Sequence, residues 1–399
     1  MIARTRWGRV ALYVFAGYVA AFQVGKAAIA VPLLRQELGL NLATAAWIIG
    51  AYGTLGALGG LAAGLVISRI EPRSSVLAGL AAVALGSGLG ALAPGFAALM
   101  AARVLEGCGF IAIVIAMPAL ITAAAAERDR STAFALWGTY MPGGTALIML
   151  LGPALLAGGW RGLWLGYAAL AAAAAALVWL ASEAGGARVR LPLSRLAGDL
   201  RSVLARAGPV LLALAFGLYA FQYFALTGLL PSLLVDRMGL SIGAAGLVSA
   251  AAVAANALGN LAAGLLMRRG MPLWKIAAGA FAFLGLAAFG IFAEGWPVAI
   301  VAGLAALSLA VTGLVPASIF AAVPRVSPAP ELLGITMGLV VQATNLGQLL
   351  GPAALGAWVE RLGWAMAPAL FAVVALAGLA IAAGLRRQIA PRDLEKRSP

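Results

Sequence analysis

Long apolar runs, separated by short polar turns, follow one another along almost the whole chain. A run of about 20 apolar residues is long enough to cross the hydrocarbon core of a membrane as an α-helix. The pattern therefore predicts an all-α membrane protein with twelve transmembrane helices. The predicted spans are residues 10–34, 44–68, 75–95, 97–125, 132–157, 162–183, 208–235, 243–267, 273–293, 297–322, 333–358 and 363–385.

The chain also repeats itself. Residues 57–65 and 257–265 are identical at eight of nine positions, and Gln23 and Gln222 each stand nine residues before a proline. Several matches at nearly one offset predict two six-helix bundles in the same orientation, related by pseudo-symmetry. The predicted division is an N-terminal bundle over 1–183, a basic amphipathic cytoplasmic linker over 184–207, a C-terminal bundle over 208–385 and a cytoplasmic tail over 386–399.

Composition agrees with a membrane protein, because 63% of the residues are hydrophobic and only 10% are charged. The formal net charge of +14 follows from topology rather than from nucleic-acid binding. Most of the 27 basic residues fall in segments that share one side, which predicts that both termini are cytoplasmic. The expected location is a bacterial inner membrane, crossed many times, with the lipid bilayer as a partner. The opposite side holds Arg35, Arg161, Arg237 and Arg361.

Several kinds of chemistry are excluded. The chain has no histidine and a single cysteine, which removes the commonest metal ligand, so no metal or cofactor is expected. It also lacks a phosphate-binding GxxxxGK[ST] loop and paired carboxylates, and it has no serine–lysine dyad at a reasonable spacing in the sequence. We therefore predict that the protein is not an enzyme and does not hydrolyse ATP.

Three charged residues lie well inside the predicted spans, away from their ends: Lys26 in the first, and Arg103 and Glu106 in the fourth. Charge at membrane depth usually faces a bundle interior or a water-filled cavity and marks a functional pathway. At 1.5 Å per residue, Lys26 and Glu106 lie about 6 Å and about 7 Å from the centres of their spans, on the same side. They are therefore candidates for an ion pair. Lys26 either binds substrate or pairs with Glu106, and Arg103 either locks helix packing or tunes Glu106.

Twelve helices in two repeated halves resemble the major facilitator superfamily of secondary transporters. The segment from Arg103 to Gly109 (RVLEGCG) is similar to that family's RxxQGxG motif, with Glu106 at the glutamine position. The stretches 128–131, 137–142 and 159–162 resemble the cyanate and 2-nitroimidazole permease branch. The resemblance implies alternating access, a central cavity that helices 1 and 4 face, and a monomer.

The resemblance also implies a conformational latch in the loop between helices 2 and 3, where the family typically reads GxLaDRxGRR. Ser68 stands at its acidic position, and Arg268 stands at the equivalent position of the second half. The residues that match the latch are Gly64, Arg69, Arg73 and Arg269.

The remaining predicted lining of the cavity is polar and uncharged. Gln23 and Gln222 are repeat mates on helices 1 and 7 and are placed to offer amide groups from opposite sides. The other candidate substrate-binding residues are Tyr18, Tyr140, Tyr219, Tyr223 and Asn345.

Two cations and one carboxylate leave about one positive charge in a low-dielectric cavity, which attracts a small anion. We therefore predict alternating-access transport of a small anion, carboxylate-like or cyanate-like, with Lys26 as its anchor. Proton coupling, by symport or antiport, is assigned to Glu106. The alternative is an exporter of neutral or amphiphilic molecules or drugs, in which Lys26 and Glu106 neutralise each other. A non-transporting membrane receptor is a third hypothesis, which the lack of any signalling domain disfavours.

Overall fold

A computed structural model describes residues 4–181 and 196–389. Sixteen α-helices account for most of these residues, and long apolar stretches form them, as the sequence pattern predicts. In the first half they are α1 (Trp7–Leu38), α2 (Leu42–Gly50), α3 (Thr54–Ser68), α4 (Pro72–Ala91), α5 (Phe96–Ala124), α6 (Arg130–Gly138), α7 (Tyr140–Leu155) and α8 (Gly159–Ala181). The rest are α9 (Leu196–Leu204), α10 (Ala207–Asp236), α11 (Ile242–Arg268), α12 (Leu273–Ile291), α13 (Val298–Thr312), α14 (Leu314–Val326), α15 (Leu333–Leu362) and α16 (Ala367–Ile389).

These helices make twelve passes, which confirms the predicted fold class. Within the described residues, 11 helical stretches are long and apolar enough to cross a membrane. One of them, Glu127–Ala181, contains both the fifth and the sixth pass, since the chain turns at Gly159 with a φ of 74°. Twelve passes follow from dividing this stretch in two.

Three passes are each built from two helices with a break between them. Residues Ala51–Gly53 form a 3₁₀ turn between α2 and α3, Thr139 separates α6 from α7, and Gly313 separates α13 from α14. At the last break, the Asn256 side chain on α11 donates a hydrogen bond to the carbonyl of Leu309 at 2.9 Å. Broken helices in membranes are tolerated where neighbouring side chains satisfy the freed backbone groups.

The boundaries of the predicted linker and tail can be compared only in part. Residues 184–195 of the linker and 390–399 of the tail lie outside the described residues. Residues 196–204 of the linker form α9, and α16 runs on to Ile389, four residues beyond the predicted end of the C-terminal bundle. The division into domains remains a prediction.

Helices of the two halves meet along two seams. Helix α15 packs against α2 and α3, and α11 packs against α7. The first seam is unusually close because α2 and the turn that follows it present glycines to α15. A Cβ at Gly50 would lie 2.7 Å from the carbonyl of Gln348, and a Cβ at Gly53 would lie 3.1 Å from that of Asn345. Side chains larger than hydrogen would push the halves apart at this point.

Polar contacts also join the halves at the end opposite the chain termini. Arg35 at the end of α1 forms an ion pair with Asp236 at the end of α10. The Glu360 carboxylate on α15 accepts a hydrogen bond from the Leu42 amide at the start of α2, at 2.9 Å. This carboxylate satisfies one of the free amides of a helix N-terminus, where negative charge is favourable. The two halves are therefore fastened at this end.

Candidate functional site

Lys26, Arg103 and Glu106 form one fully buried cluster between α1 and α5. The Lys26 Nζ lies 2.5 Å from Glu106 Oε1, and Arg103 pairs with the other oxygen, Oε2. Lys26 also donates a hydrogen bond to Ser87 Oγ on α4, at 2.8 Å. Each oxygen of the carboxylate therefore accepts from one cation, and the cluster as a whole carries two positive charges against one negative charge.

Aromatic rings of α8 complete the surroundings of Lys26. Its Nζ lies 4.4 Å from the ring centre of Trp164 and 4.3 Å from that of Tyr167. Ring faces at such distances attract a cation, and the attraction is larger where water is excluded. These partners lie on α4 and α8, inside the first half. The Lys26 ammonium is therefore directed into its own bundle in this structure, rather than toward the seam between the halves.

Arg103 makes contacts to backbone carbonyls as well as to Glu106. Its Nε donates to the Ile48 carbonyl at 3.0 Å, and its Nη2 donates to the carbonyls of Gln23 at 3.1 Å and Ile49 at 3.4 Å. It thereby ties α5 to α1 and to α2, just before the break in the second pass. Its guanidinium also lies 5.6 Å from the ring centre of Tyr52. These are the contacts that the packing alternative for Arg103 requires.

Small residues bring the helices close enough for this cluster to form. A Cβ at Gly86 on α4 would lie 2.9 Å from the Glu106 side chain, and a Cβ at Gly107 on α5 would collide with the Tyr52 carbonyl. Glycines at both positions let α4 and the second pass approach α5 directly. These glycines therefore allow α4 and the second pass to pack directly around the buried Glu106 carboxylate.

The repeat mates Gln23 and Gln222 are both buried, and each side-chain amide donates into its own half. Gln23 Nε2 donates to the Glu106 carbonyl at 3.3 Å. Gln222 Nε2 donates to the Phe371 carbonyl on α16 at 3.2 Å. The pseudo-symmetry of the two residues is therefore expressed as matching contacts within the two bundles. Among the described residues, neither amide nitrogen has a partner across the seam.

The predicted tyrosines divide into two stacks, one in each half. In the first half, Tyr140 stacks on Trp137 with ring centres 4.4 Å apart, and the Tyr18 hydroxyl lies 3.0 Å from Thr139 Oγ1. In the second half, Tyr219 stacks on Tyr223 at 5.7 Å. Asn256 donates to the Tyr219 hydroxyl at 3.4 Å, so this stack is connected to the break between α13 and α14.

Tyr52 links the two stacks and was not among the predicted site residues. It lies in the break between α2 and α3, and its phenol lies near those of Tyr140 and Tyr223. The phenols of Tyr52, Tyr140, Tyr219 and Tyr223 therefore form a group that spans both halves, which we call the tyrosine group. Sequence reasoning missed Tyr52 because nothing in the pattern marks the break in which it lies.

Buried polar atoms without partners collect beside the tyrosine group. The hydroxyls of Tyr52 and Tyr223 and the side-chain oxygens of Asn345 and Gln348 accept or donate no hydrogen bond among the described residues. All four residues are at least 95% buried. Buried polar groups are nearly always paired, and an unpaired one costs about 1–3 kcal/mol. Unpaired atoms at the boundary between the two halves are therefore candidate ligand contacts.

The predicted latch residues lie near the end of the molecule that holds the termini. Arg69 and Arg269 follow α3 and α11 and are both exposed, and Gly64 lies within α3. Arg73 at the start of α4 donates a hydrogen bond to the Trp179 carbonyl on α8 at 2.8 Å, within the first half. The latch remains a prediction.

Within residues 4–181 and 196–389, no group of three or more acidic or cysteine side chains could hold a metal ion.

Comparison with known proteins gives a family for the chain. The sequence profile described as "Major Facilitator Superfamily" matches residues 13–327 and again residues 212–398. The second match begins close to the start of the second half.

Solved structures share the fold of this chain. One is a bacterial homologue of the human lysosomal transporter Spinster, in an inward-facing and occupied conformation. The match covers 99% of this chain and 97% of that structure's chain, with a TM-score of 0.73 at 16% identity. A point mutant of the nucleoside transporter NupG covers 94% and 99%, with a TM-score of 0.77 at 15% identity. These structures share the fold.

Curated relatives match over shorter lengths. The puromycin resistance protein pur8 of Streptomyces alboniger is 35% identical over 127 residues, which are 31% of this chain and 25% of that protein. The inner membrane transport protein YajR of Escherichia coli (strain K12) is 30% identical over 192 residues, 47% of this chain and 41% of that protein. The chain thus spans between a quarter and two fifths of the length of these two relatives.

Proposed function

The chain belongs to the Major Facilitator Superfamily, and we propose that it is a secondary transporter of neutral or amphiphilic aromatic molecules. The observation that carries this proposal is the tyrosine group, whose Tyr52 and Tyr223 hydroxyls are buried between the halves without hydrogen-bond partners among the described residues. Stacked rings bind flat apolar surface, and free hydroxyls and amides fix polar substituents. A ligand with both features would satisfy these atoms.

The charged cluster supports the same proposal because its contacts disfavour an anionic substrate in this state. Lys26 is fully buried and engaged by Glu106, Ser87 and two aromatic rings, so an anion has no access to it in this state. The region around the tyrosine group contains aromatic, amide and hydroxyl side chains. One curated relative is named as a puromycin resistance protein, and puromycin is an amphiphilic aromatic molecule that suits such a lining. We further propose that the chain exports such molecules across a bacterial inner membrane and that both of its termini are cytoplasmic.

Anion transport is the second candidate. It rests on the excess positive charge of the Lys26–Arg103–Glu106 cluster, which attracts an anion if Lys26 is released from Glu106 during the transport cycle. In this second proposal Glu106 would carry the coupling proton. A transport rate that does not change with pH, or full coupling in a Glu106→Gln variant, would exclude that mechanism.

Everted membrane vesicles distinguish the two candidates. We expect vesicles containing the wild-type chain to accumulate radiolabelled puromycin when energised, and not to accumulate radiolabelled cyanate. Tyr52→Phe and Tyr223→Phe each remove one hydroxyl and keep the ring, so the KM for puromycin should rise about 2- to 10-fold, as a lost hydrogen bond of about 0.5–1.5 kcal/mol requires. Tyr13→Phe, on the part of α1 nearer the terminus, is the matched control and should leave KM unchanged. Accumulation of cyanate but not of puromycin would refute the proposal.

A further inference from the structure

The charged cluster has a feature that substrate binding does not use. It lies inside the first half, fully buried, and holds one more positive charge than negative charge. We infer that Lys26 is the residue that carries the exchangeable proton of this transporter, while Arg103 and Glu106 form a fixed ion pair beside it. The inference rests on the proposed function as a secondary transporter, and it differs from the sequence-based assignment of the proton to Glu106.

The three members of the cluster differ in their ability to exchange a proton. The Arg103 guanidinium stays protonated in proteins and has no acceptor atom. Both oxygens of Glu106 accept hydrogen bonds from cations, Oε1 from Lys26 and Oε2 from Arg103, so a proton added to this carboxylate would weaken both charge-assisted contacts. Lysine is the basic side chain that exists in both charged and neutral forms when it is buried. Lys26 is therefore the member that can change charge while the other contacts persist.

The ammonium and amine forms of Lys26 make different hydrogen bonds. As an ammonium, Lys26 donates to Glu106 Oε1 and to Ser87 Oγ, and the Ser87 hydroxyl donates to the Trp164 carbonyl at 2.8 Å. Loss of one proton from Nζ to water leaves an amine with two N–H groups and a lone pair. The amine still donates to Glu106, and it now accepts from Ser87, whose hydroxyl turns away from the Trp164 carbonyl. One N–H bond breaks, no other covalent bond changes, and the net charge of the cluster falls from one to zero.

This exchange of hydrogen-bond partners couples the protonation of Lys26 to the packing of α8 against α1 and α4. Ser87 lies on α4 and Trp164 on α8, so protonated Lys26 keeps the hydroxyl bonded between these helices, and neutral Lys26 releases that bond. The cation also holds the rings of Trp164 and Tyr167 through its charge, an attraction that the neutral amine lacks. Deprotonation therefore loosens α8 from α1 and α4.

The other groups around Lys26 are consistent with this assignment. From α5 it is faced by Glu106 and Arg103, and from α8 by Tyr167, whose hydroxyl donates to the Val19 carbonyl at 2.8 Å. The second pass brings Tyr52 to the far side of Arg103, and α4 brings Ser87, which does not titrate in water. On α7, the residues that pack at the neighbouring Gly25 are Ile148, Thr145 and Met149. Glu106 is thus the one carboxylate among these groups.

The number of lysines makes a direct test possible. The chain contains only Lys26, Lys275 and Lys396, so protein labelled with ¹⁵N at the lysine side chain gives three Nζ signals. Lys26→Arg removes one signal and assigns it, and Lys275→Arg assigns the reference outside the cluster. In lipid nanodiscs, without any substrate, we expect Lys26 to interconvert between ammonium and amine as pH is raised, with the Lys275 signal as the reference. Ser87→Ala removes the hydroxyl oxygen that accepts from the ammonium and should shift the proportion of the two forms several-fold toward the amine. A Lys26 that remains an ammonium while Glu106 gains and loses a proton would overturn the inference.

A transport measurement adds the functional consequence. In proteoliposomes loaded with pyranine, wild type should move protons when puromycin is added on one side, whereas Lys26→Arg, whose charge is permanent, should move none. Proton movement by Lys26→Arg equal to that of wild type would contradict the inference. The two experiments separate the two proposals, since failure of puromycin transport alone leaves the substrate-free titration of Lys26 intact.

Discussion

Removing the Glu106 carboxylate should be far more damaging than removing the Lys26 ammonium. Glu106→Gln leaves two fully buried basic side chains without a carboxylate, and Arg103 stays a cation even if Lys26 loses its proton; removal of one partner of a buried ion pair costs about 3–5 kcal/mol. Each half has the size of domains in which 1 kcal/mol shifts Tm by about 2–4 °C, so a fall of about 6–20 °C is expected. Lys26→Met keeps an apolar stem between the aromatic rings and leaves Glu106 paired with Arg103, so its cost should be about 2 kcal/mol or less.

The assay is the fraction of monodisperse protein that remains after heating in detergent, followed by fluorescence-detected size-exclusion chromatography. The double variant Glu106→Gln/Lys26→Met provides the internal comparison. It removes one of the two unpaired cations, and Arg103 keeps its three carbonyl contacts. It should therefore recover part of the stability that Glu106→Gln loses. Equal losses for the two single variants, or a double variant that is less stable than Glu106→Gln, would refute the electrostatic reasoning.

Three further predictions follow from single contacts. Arg35→Asp places two acids together at the fastened end, so the rate of hydrogen exchange in α2 should rise. The charge swap Arg35→Asp/Asp236→Arg should restore the original rate. An unchanged rate in Arg35→Asp would show that the ion pair does not fasten the halves. Gly107→Ala puts a Cβ against the Tyr52 carbonyl and should cost about 1–3 kcal/mol in thermal stability, whereas Gly88→Ala, which has open space, should cost little; equal effects would contradict the packing argument. Tyr52→Phe removes a buried hydroxyl that has no partner among the described residues and should raise ligand-free stability by up to about 1 kcal/mol in the same assay, and a loss of stability would indicate a partner for it.

The sequence allowed the fold to be predicted because membrane helices leave strong signals. Apolar runs marked twelve passes, and an internal repeat divided them into two bundles. The breaks at Ala51–Gly53, Thr139 and Gly313 were not predicted, since they depend on contacts with neighbouring helices. At Gly313, for example, the Leu309 carbonyl accepts from the Asn256 side chain of another helix in addition to the Gly313 amide. A pattern of hydropathy contains no information about such a partner.

The site could be predicted only in part, for a related reason. Depth along a helix follows from counting residues, and this brought Lys26 and Glu106 to the same level. Rotation about the helix axis decides what a side chain faces, and a nearly uniformly apolar helix gives no amphipathic stripe from which to read it. Ser87, Trp164 and Tyr167, the further partners of Lys26, were therefore missed, as was Tyr52.

The sequence places no acidic or basic residue in the middle of any helix of the second half, whereas the first half buries three of them. The two bundles are alike in fold but electrically unequal. A membrane potential exerts force only on charge, and moving one elementary charge through 100 mV is worth about 2.3 kcal/mol. The voltage across the membrane would therefore act on the buried charges of the first half, which have no counterpart at the same depth in the second. The transport cycle would then contain one step driven by voltage, the one in which the charged bundle moves, and the return of a neutral cluster would be insensitive to it.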